Sequence, residues 1–279
     1  MVNQIMPLAE LDYHSPGQDT FMNNVEKIRE KWARGQLCVG TNVTFTDSTV
    51  IELLGEAGYD IVWIDMEHSS MSVDHALNHV RTCRGVGLAP FIRVPSLDPV
   101  VIKPFLELHP AAIIVPRISS VADAEAAVKS CRYPPRGVRG FGPIRGVRFG
   151  DRSLDDYLAN VDREVMVILQ IEHIDAVNEI EAILDVPGVD SIVPGPMDLA
   201  GSMGLLGQTG HPDVADALDR LIDAARKKNV PMGQSIGFNP EVVQRAIEKG
   251  VSWICADGDW HMLFPQAKRV CDQIRSLSQ

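Results

Sequence analysis

Five side chains in this chain are of the types that metal-assisted acid–base chemistry uses: Glu172, Asp198, Asp65, His68 and Arg93. Glu172 closes the run VMVILQIE and Asp198 lies in SIVPGPMDLAGSMG. Two carboxylates brought side by side repel unless a cation or a proton lies between them. All-oxygen ligation suits a hard divalent ion such as Mg2+ or Mn2+, with Co2+ or another cation as an alternative, and leaves positions for water and substrate. The plainer alternative is that Asp198 only caps a helix and Glu172 is solvated. Asp65 and His68, in IDMEHSS, form an Asp-x-x-His step that a turn can fold into a carboxylate–imidazole pair. Such a pair orients the ring and suits it to proton transfer near neutral pH; the alternative is a histidine that merely caps the loop. Arg93, in FIRVPS, supplies a permanent cation for a carboxylate or an enolate oxyanion, or else a structural ion pair with Asp65 or Glu67.

Those residues need a frame that brings them together. Short β-rich runs recur at 36–43, 60–67, 89–94, 111–118, 165–172, 189–195, 230–236 and 251–257, mostly continuous in apolar residues, as in strands buried on both faces. Helical patterns lie between most of them: Val73, Ala76, Leu77 and Val80 share one face, as do Val214, Leu218, Leu221 and Ala225. Asp98-Pro99 and Asn239-Pro240 open helices, while Gly58 and Gly250 close them. Eight strands alternating with helices predict a (β/α)8 TIM barrel, with an open doubly wound sheet as the alternative. In a barrel, catalytic groups sit at the C-terminal strand ends. Those ends carry Asp65, Glu67, His68, Arg93, Arg117, Gln170 and Glu172, with Asp198 in the turn after the sixth.

The lysines, from Lys27 to Lys268, all fall in helical stretches or at their ends, and none stands where an imine-forming lysine would be needed. A carbonyl would then be activated by a metal acting as Lewis acid. The segment 132–152, with six arginines and five glycines, reads equally as an anion-binding lid, a mobile flap or an intersubunit segment, and not as a dinucleotide fingerprint. His75 and His79 lie one turn apart, but Ala76 stands where a zincin needs glutamate, so they read as packed or solvated. A formal net charge of -11 with no other basic run argues against nucleic acid. The longest apolar runs are too short for a membrane span. The five cysteines have no paired spacing and read as buried thiols in a reducing cytoplasm, while Trp63, Trp253 and the methionines read as core. Residues 1–22 read as an extension, disordered or gripping a neighbour, and 23–279 as one barrel domain.

The motifs AGYDIVWIDMEHS, IRVP, YPPRGVRG, QIE and GPMDL followed by GQTGHPDV resemble those of the HpcH/HpaI aldolases, metal-dependent pyruvate enzymes such as hydroxy-heptenedioate and 2-keto-3-deoxy-glucarate aldolases. The resemblance runs from about Gly40 to Asp257. It implies that Glu172 and Asp198 ligate the divalent ion and that the backbone around Pro196, Met197 and Asp198 holds a keto-acid carboxylate. Arg93 would polarise the keto oxygen, and His68, supported by Asp65, would act as acid/base through a water on the ion. Gln170 would sit beside the metal. The substrates implied are a small keto acid and an aldehyde, and the assembly implied is a homo-oligomer, commonly a hexamer built as a trimer of dimers. Asn42 stands where the family often has an aromatic, LELHP replaces LD-x-G-A through Glu107 and His109-Pro110, and Arg117 replaces a common methionine. These differences are expected at the rim facing the aldehyde, where Arg117 would meet an anionic group. The same enolate admits an oxaloacetate decarboxylase, a condensing enzyme or a CoA-ester lyase, and a non-catalytic keto-acid-binding barrel is the alternative of another class.

Overall fold

The computed structural model describes residues 23–278. Its eight parallel strands are β1 (Cys38–Val43), β2 (Ile61–Asp65), β3 (Ala89–Arg93), β4 (Ala112–Ile118), β5 (Met166–Ile171), β6 (Ser191–Pro194), β7 (Gly233–Ile236) and β8 (Trp253–Gly258). All eight fall within or against the runs expected from sequence. Their order, β6-β5-β4-β3-β2-β1-β8-β7, leaves one seam, between β6 and β7. A single parallel bridge, Ile192 to Met232, closes it, helped by the Ile192 amide donating to the Pro231 carbonyl at 3.2 Å. The seam is thin because Pro231 has no N–H to give to a ladder, which also explains why β7 starts at Gly233 and not at Val230. The result is the expected (β/α)8 barrel, nearly closed.

Two cores hold it. Inside the strands lie Ile61, Trp63, Phe91, Ile168, Trp253 and Cys255, all almost fully buried. The helix α1 (Val25–Ala33) plugs the N-terminal end with Val25 and Ile28. Trp253 packs its ring against Gly233 so closely that a Cβ there would fall 2.0 Å from it, and its Nε1 donates to Ser191 Oγ at 3.0 Å. That contact ties β6, β7 and β8 across the weak seam. The second core lies between the strands and the outer helices, among them α3 (Val73–Val86), α5 (Val121–Cys131) and α10 (Pro212–Lys228). α3 starts with a capping box in which Ser72 and His75 satisfy each other's backbone amides, and His79 is buried between Ser48 and the Phe45 carbonyl. Both histidines are therefore structural.

Several expectations change here. Four of the cysteines are buried, but Cys271 is exposed. Met197 and Met262 are exposed and not core. The arginine-rich segment 132–152 runs between α5 and α6 (Leu154–Glu164), so it lies beneath the barrel, at the N-terminal ends of the strands. Arg132 donates to the Val165 carbonyl, Arg139 pairs with Glu107 at 3.0 Å, and Arg152 pairs with the fully buried Glu164. It is not a lid over its own mouth. Glu107 and His109, expected at the substrate rim, also lie at this lower end, just before β4, where His109 faces Glu164 at 3.3 Å.

Candidate active site

The C-terminal mouth holds a cavity of about 530 Å3 whose wall includes Glu67, His68, Arg117, Glu172, His173 and Asp198. Glu172 follows β5 directly and is 7% exposed. Its Oε2 accepts from the Arg117 amide at 2.9 Å, and its other oxygen lies against Gly195, where a Cβ would stand 2.4 Å away. Burial pushes its pKa up to about 7; the Arg117 amide opposes this, and the neighbouring charges of Glu67 and Asp198 add to it. Arg117 achieves its contact by taking φ 60° at an irregularity in β4, where the register to β5 shifts between Val115 and Ile118. The irregularity turns the amide toward Glu172 and leaves the side chain exposed.

Asp198 lies in the first turn of α9 (Pro196–Ser202) and is exposed at the cavity rim. Pro196 opens the helix, and Met197 and Asp198 contribute first-turn amides, which by position have no intrahelical acceptor. No side chain caps them. Gln170 is buried in β5, with Oε1 shut from solvent and unpartnered.

The expected Asp65–His68 imidazole contact is not formed. Asp65 instead grips Arg93 with both oxygens, at 3.1 Å from Nε and 2.5 Å from Nη2. Its Oδ1 also accepts the amides of Glu67 and His68, at 3.0 and 3.1 Å. Asp65 thus fixes the backbone of the IDMEHSS turn, while the His68 ring stands out into the cavity, its Nε2 3.7 Å from Glu67 Oε2. A carboxylate offered two amides and a guanidinium fork has its acceptor sites filled close by. Arg93 is the last residue of β3, lies over the Trp63 ring at 5.3 Å and reaches Glu67 Oε2 at 3.2 Å through Nη1. That last contact is a charge contact only, since Oε2 has no hydrogen-bond partner.

Two titratable residues of the cavity wall carry no catalytic role in the sequence reading: Glu67, expected there only as an alternative ion-pair partner of Arg93, and His173. Glu67 is half-buried, its pKa raised first by burial, with Arg93 opposing. The signal for it was present: it lies two residues after Asp65 in the same turn. His173 caps α7 (Ile174–Asn178) through Nδ1.

Among the described residues no three His, Cys, Asp or Glu groups form a ready-made metal cage. The donors nonetheless fit a hard ion of the Mg2+ type, which is commonly held by one or two carboxylates and completed by water and substrate oxygens. A buried glutamate destabilised as an anion, beside two further carboxylates, is the setting in which a cation replaces a proton. Lysine is absent from the cavity wall.

The sequence profile of the family described as HpcH/HpaI aldolase/citrate lyase matches residues 41–259. The chain is 31% identical over 246 residues to the hydroxypyruvate/pyruvate aldolase of Roseobacter denitrificans, covering 87% of this chain and 94% of that one. It is 30% identical over 258 residues to the 5-keto-4-deoxy-D-glucarate aldolase of Escherichia coli, covering 92% and 98%. The solved structure of an HpcH/HpaI aldolase from Desulfitobacterium hafniense superposes with a TM-score of 0.83 at 26% identity, covering 88% and 96%.

Proposed function

The chain belongs to the HpcH/HpaI aldolase/citrate lyase family, and from that premise we infer that it is a divalent-metal-dependent aldolase cleaving or forming 4-hydroxy-2-oxo acids, with pyruvate or hydroxypyruvate as the keto-acid half. The observation that carries the reading is Glu172, buried, aligned by the Arg117 amide and sharing one cavity with Glu67 and Asp198. Glu172 and Asp198 are the residues that would hold the ion. When bound, the ion supplies Lewis-acid polarisation of the keto group. The first-turn amides of Met197 and Asp198 receive the keto-acid carboxylate, as helix N-termini favour anions. Gln170 adds a side-chain amide from β5.

His68 takes the proton from the C4 hydroxyl. The C3–C4 bond then breaks, its electron pair passes into the enolate, the aldehyde leaves, and C3 is protonated to give the keto acid. Asp65 is a positioning residue in this scheme, holding the His68 backbone and Arg93. Arg93 offsets the charge of Glu67 and stabilises the developing oxyanion. Arg117, whose side chain enters the cavity, meets an anionic group on the aldehyde half. The chain would be organised as a single barrel domain over 23–279 acting as a homo-oligomer, and the extension expected over 1–22 lies outside the described residues.

A pyruvate-coupled retro-aldol assay tests this directly. Turnover is expected to vanish on complete chelation and return with Mg2+ or Mn2+; undiminished turnover in metal-free enzyme would overturn the reading.

A further inference from the structure

A second cavity, of about 420 Å3, lies at the opposite end of the barrel, at the N-terminal ends of β5 and β6. Its charged wall is Arg29, Arg132, Arg136, Arg163, Asp162 and Asp190. Four guanidiniums meet three carboxylates there, Asp162 and Asp190 in the wall and Glu26 beside Arg163, leaving one positive charge in surplus on a chain whose net charge is -11. Arg132 is built into the floor, its side chain only 6% exposed, with one nitrogen donating to the Val165 carbonyl at 3.1 Å. It shares Asp190 with Arg29, at 3.4 and 2.8 Å. Arg136 pairs with Asp162 at 2.7 Å and Arg163 with Glu26 at 3.7 Å, and both arginine side chains otherwise stand in solvent. Each guanidinium carries five N–H donors in a fork, so these few ion pairs leave most of them free. The remaining wall is apolar, from Val128, Pro187 and Gly188.

We propose that this cavity binds a small phosphorylated metabolite on the face of the barrel remote from the candidate active site. A phosphate monoester carries close to two negative charges and three strong acceptor oxygens at neutral pH, which the surplus charge and the unused guanidinium donors can receive. Arginine forks engage phosphate oxygens in bidentate fashion. The apolar wall gives the carbon skeleton a surface to lie on. Asp190 gives the location a structural meaning, since its Oδ2 also accepts the Val167 amide at 2.8 Å. It ties the start of β6 to β5, the strands whose far ends lead to Asp198 and Glu172. A bound phosphate would draw on the guanidiniums that now hold Asp190.

The test is calorimetric titration of the full chain with inorganic phosphate and with glycerol 3-phosphate, against sodium chloride at matched ionic strength. Both phosphates are expected to bind, glycerol 3-phosphate the more tightly. An Arg136→Ala/Arg163→Ala double variant should weaken binding at least tenfold, because both side chains are exposed and their loss leaves the core intact, as circular dichroism would verify. Asp198→Asn should keep wild-type affinity. No phosphate binding by the wild type, equal heats with chloride, unchanged affinity in the arginine variant, or loss of binding in Asp198→Asn would each overturn the assignment.

Discussion

At the residue scale the site turns on Glu172. Its packing against Gly195 makes Gly195→Ala a sharp probe, because the new Cβ would fall 2.4 Å from Oε1 and force the carboxylate aside. Overpacking of this kind costs about 1–3 kcal/mol, small enough for the chain to stay folded. Metal-dependent turnover should fall by more than tenfold while the circular dichroism spectrum is unchanged, and Glu172→Gln should abolish both turnover and Mn2+ binding. Wild-type turnover in either variant would remove Glu172 from the site. The pH dependence follows from the same burial. With its folded pKa raised to about 7, Glu172 contributes stability that is fully present below the ordinary carboxylate range and is lost as pH rises through 7. Cation binding needs the deprotonated form, so the sign for affinity is opposite. Mn2+ affinity should therefore fall by up to about tenfold for each pH unit below 7, as one proton competes for the carboxylate. A flat affinity between pH 6 and 8 would contradict the burial argument. Glu172, Asp198, His68 and Arg93 were all legible as chemistry, because their types and strand-end positions stand in the sequence. For Asp65 the sequence left two partners open, the His68 ring and the Arg93 guanidinium, and only the third strand's proximity selects the fork onto Arg93.

At the element scale, the strand runs were readable because buried parallel strands are continuously apolar. What sequence could not show was which end of each connection faced the mouth. Glu107, His109 and the arginine segment 132–152 belong to the lower end, a matter of where α4 (Pro99–Glu107) and α5 stop and not of residue type. The irregularity in β4 was equally invisible, because nothing in AAIIVPRI marks Arg117 as left-handed apart from the proline before it. That irregularity separates two functions of one residue. Arg117→Gly keeps the amide that aligns Glu172 and removes the side chain from the cavity. A non-glycine residue in the left-handed region costs roughly 1–2 kcal/mol, while glycine costs roughly 0.5–1 kcal/mol in chain entropy. The variant should thus match or slightly exceed wild-type stability in denaturant titration and keep its Mn2+ affinity. Its KM for substrates with an anionic aldehyde half should rise, with little change for neutral aldehydes. Equal losses for both substrate classes would assign Arg117 to the backbone alone.

At the scale of the whole molecule, the last helix is out of proportion to its own barrel. Over the 19 residues of α12 (Asp259–Leu277) only Asp259 is buried, where it accepts from the amides of Thr44 and Phe45 and anchors the loop after β1. Beyond that anchor Trp260, Leu263, Phe264, Val270, Ile274 and Leu277 are exposed, the last at 87%. Val39 on β1 and Ile247 on α11 (Pro240–Glu248) are likewise uncovered. Exposed apolar side chains gathered along one helix mark an interaction site, and in the proposed homo-oligomer a second copy would cover them. The sequence carried the apolar spacing of this helix but not its destination, because an amphipathic pattern says that a face is buried without saying by whom. Light scattering should accordingly give a particle of at least twice the 30.6 kDa chain mass. Replacing Leu263, Phe264 and Ile274 with serine should shift it toward one chain while the barrel's circular dichroism is retained, because none of the three supports the core. If the wild type is a single chain at micromolar concentration, α12 has some other partner and the oligomeric reading fails.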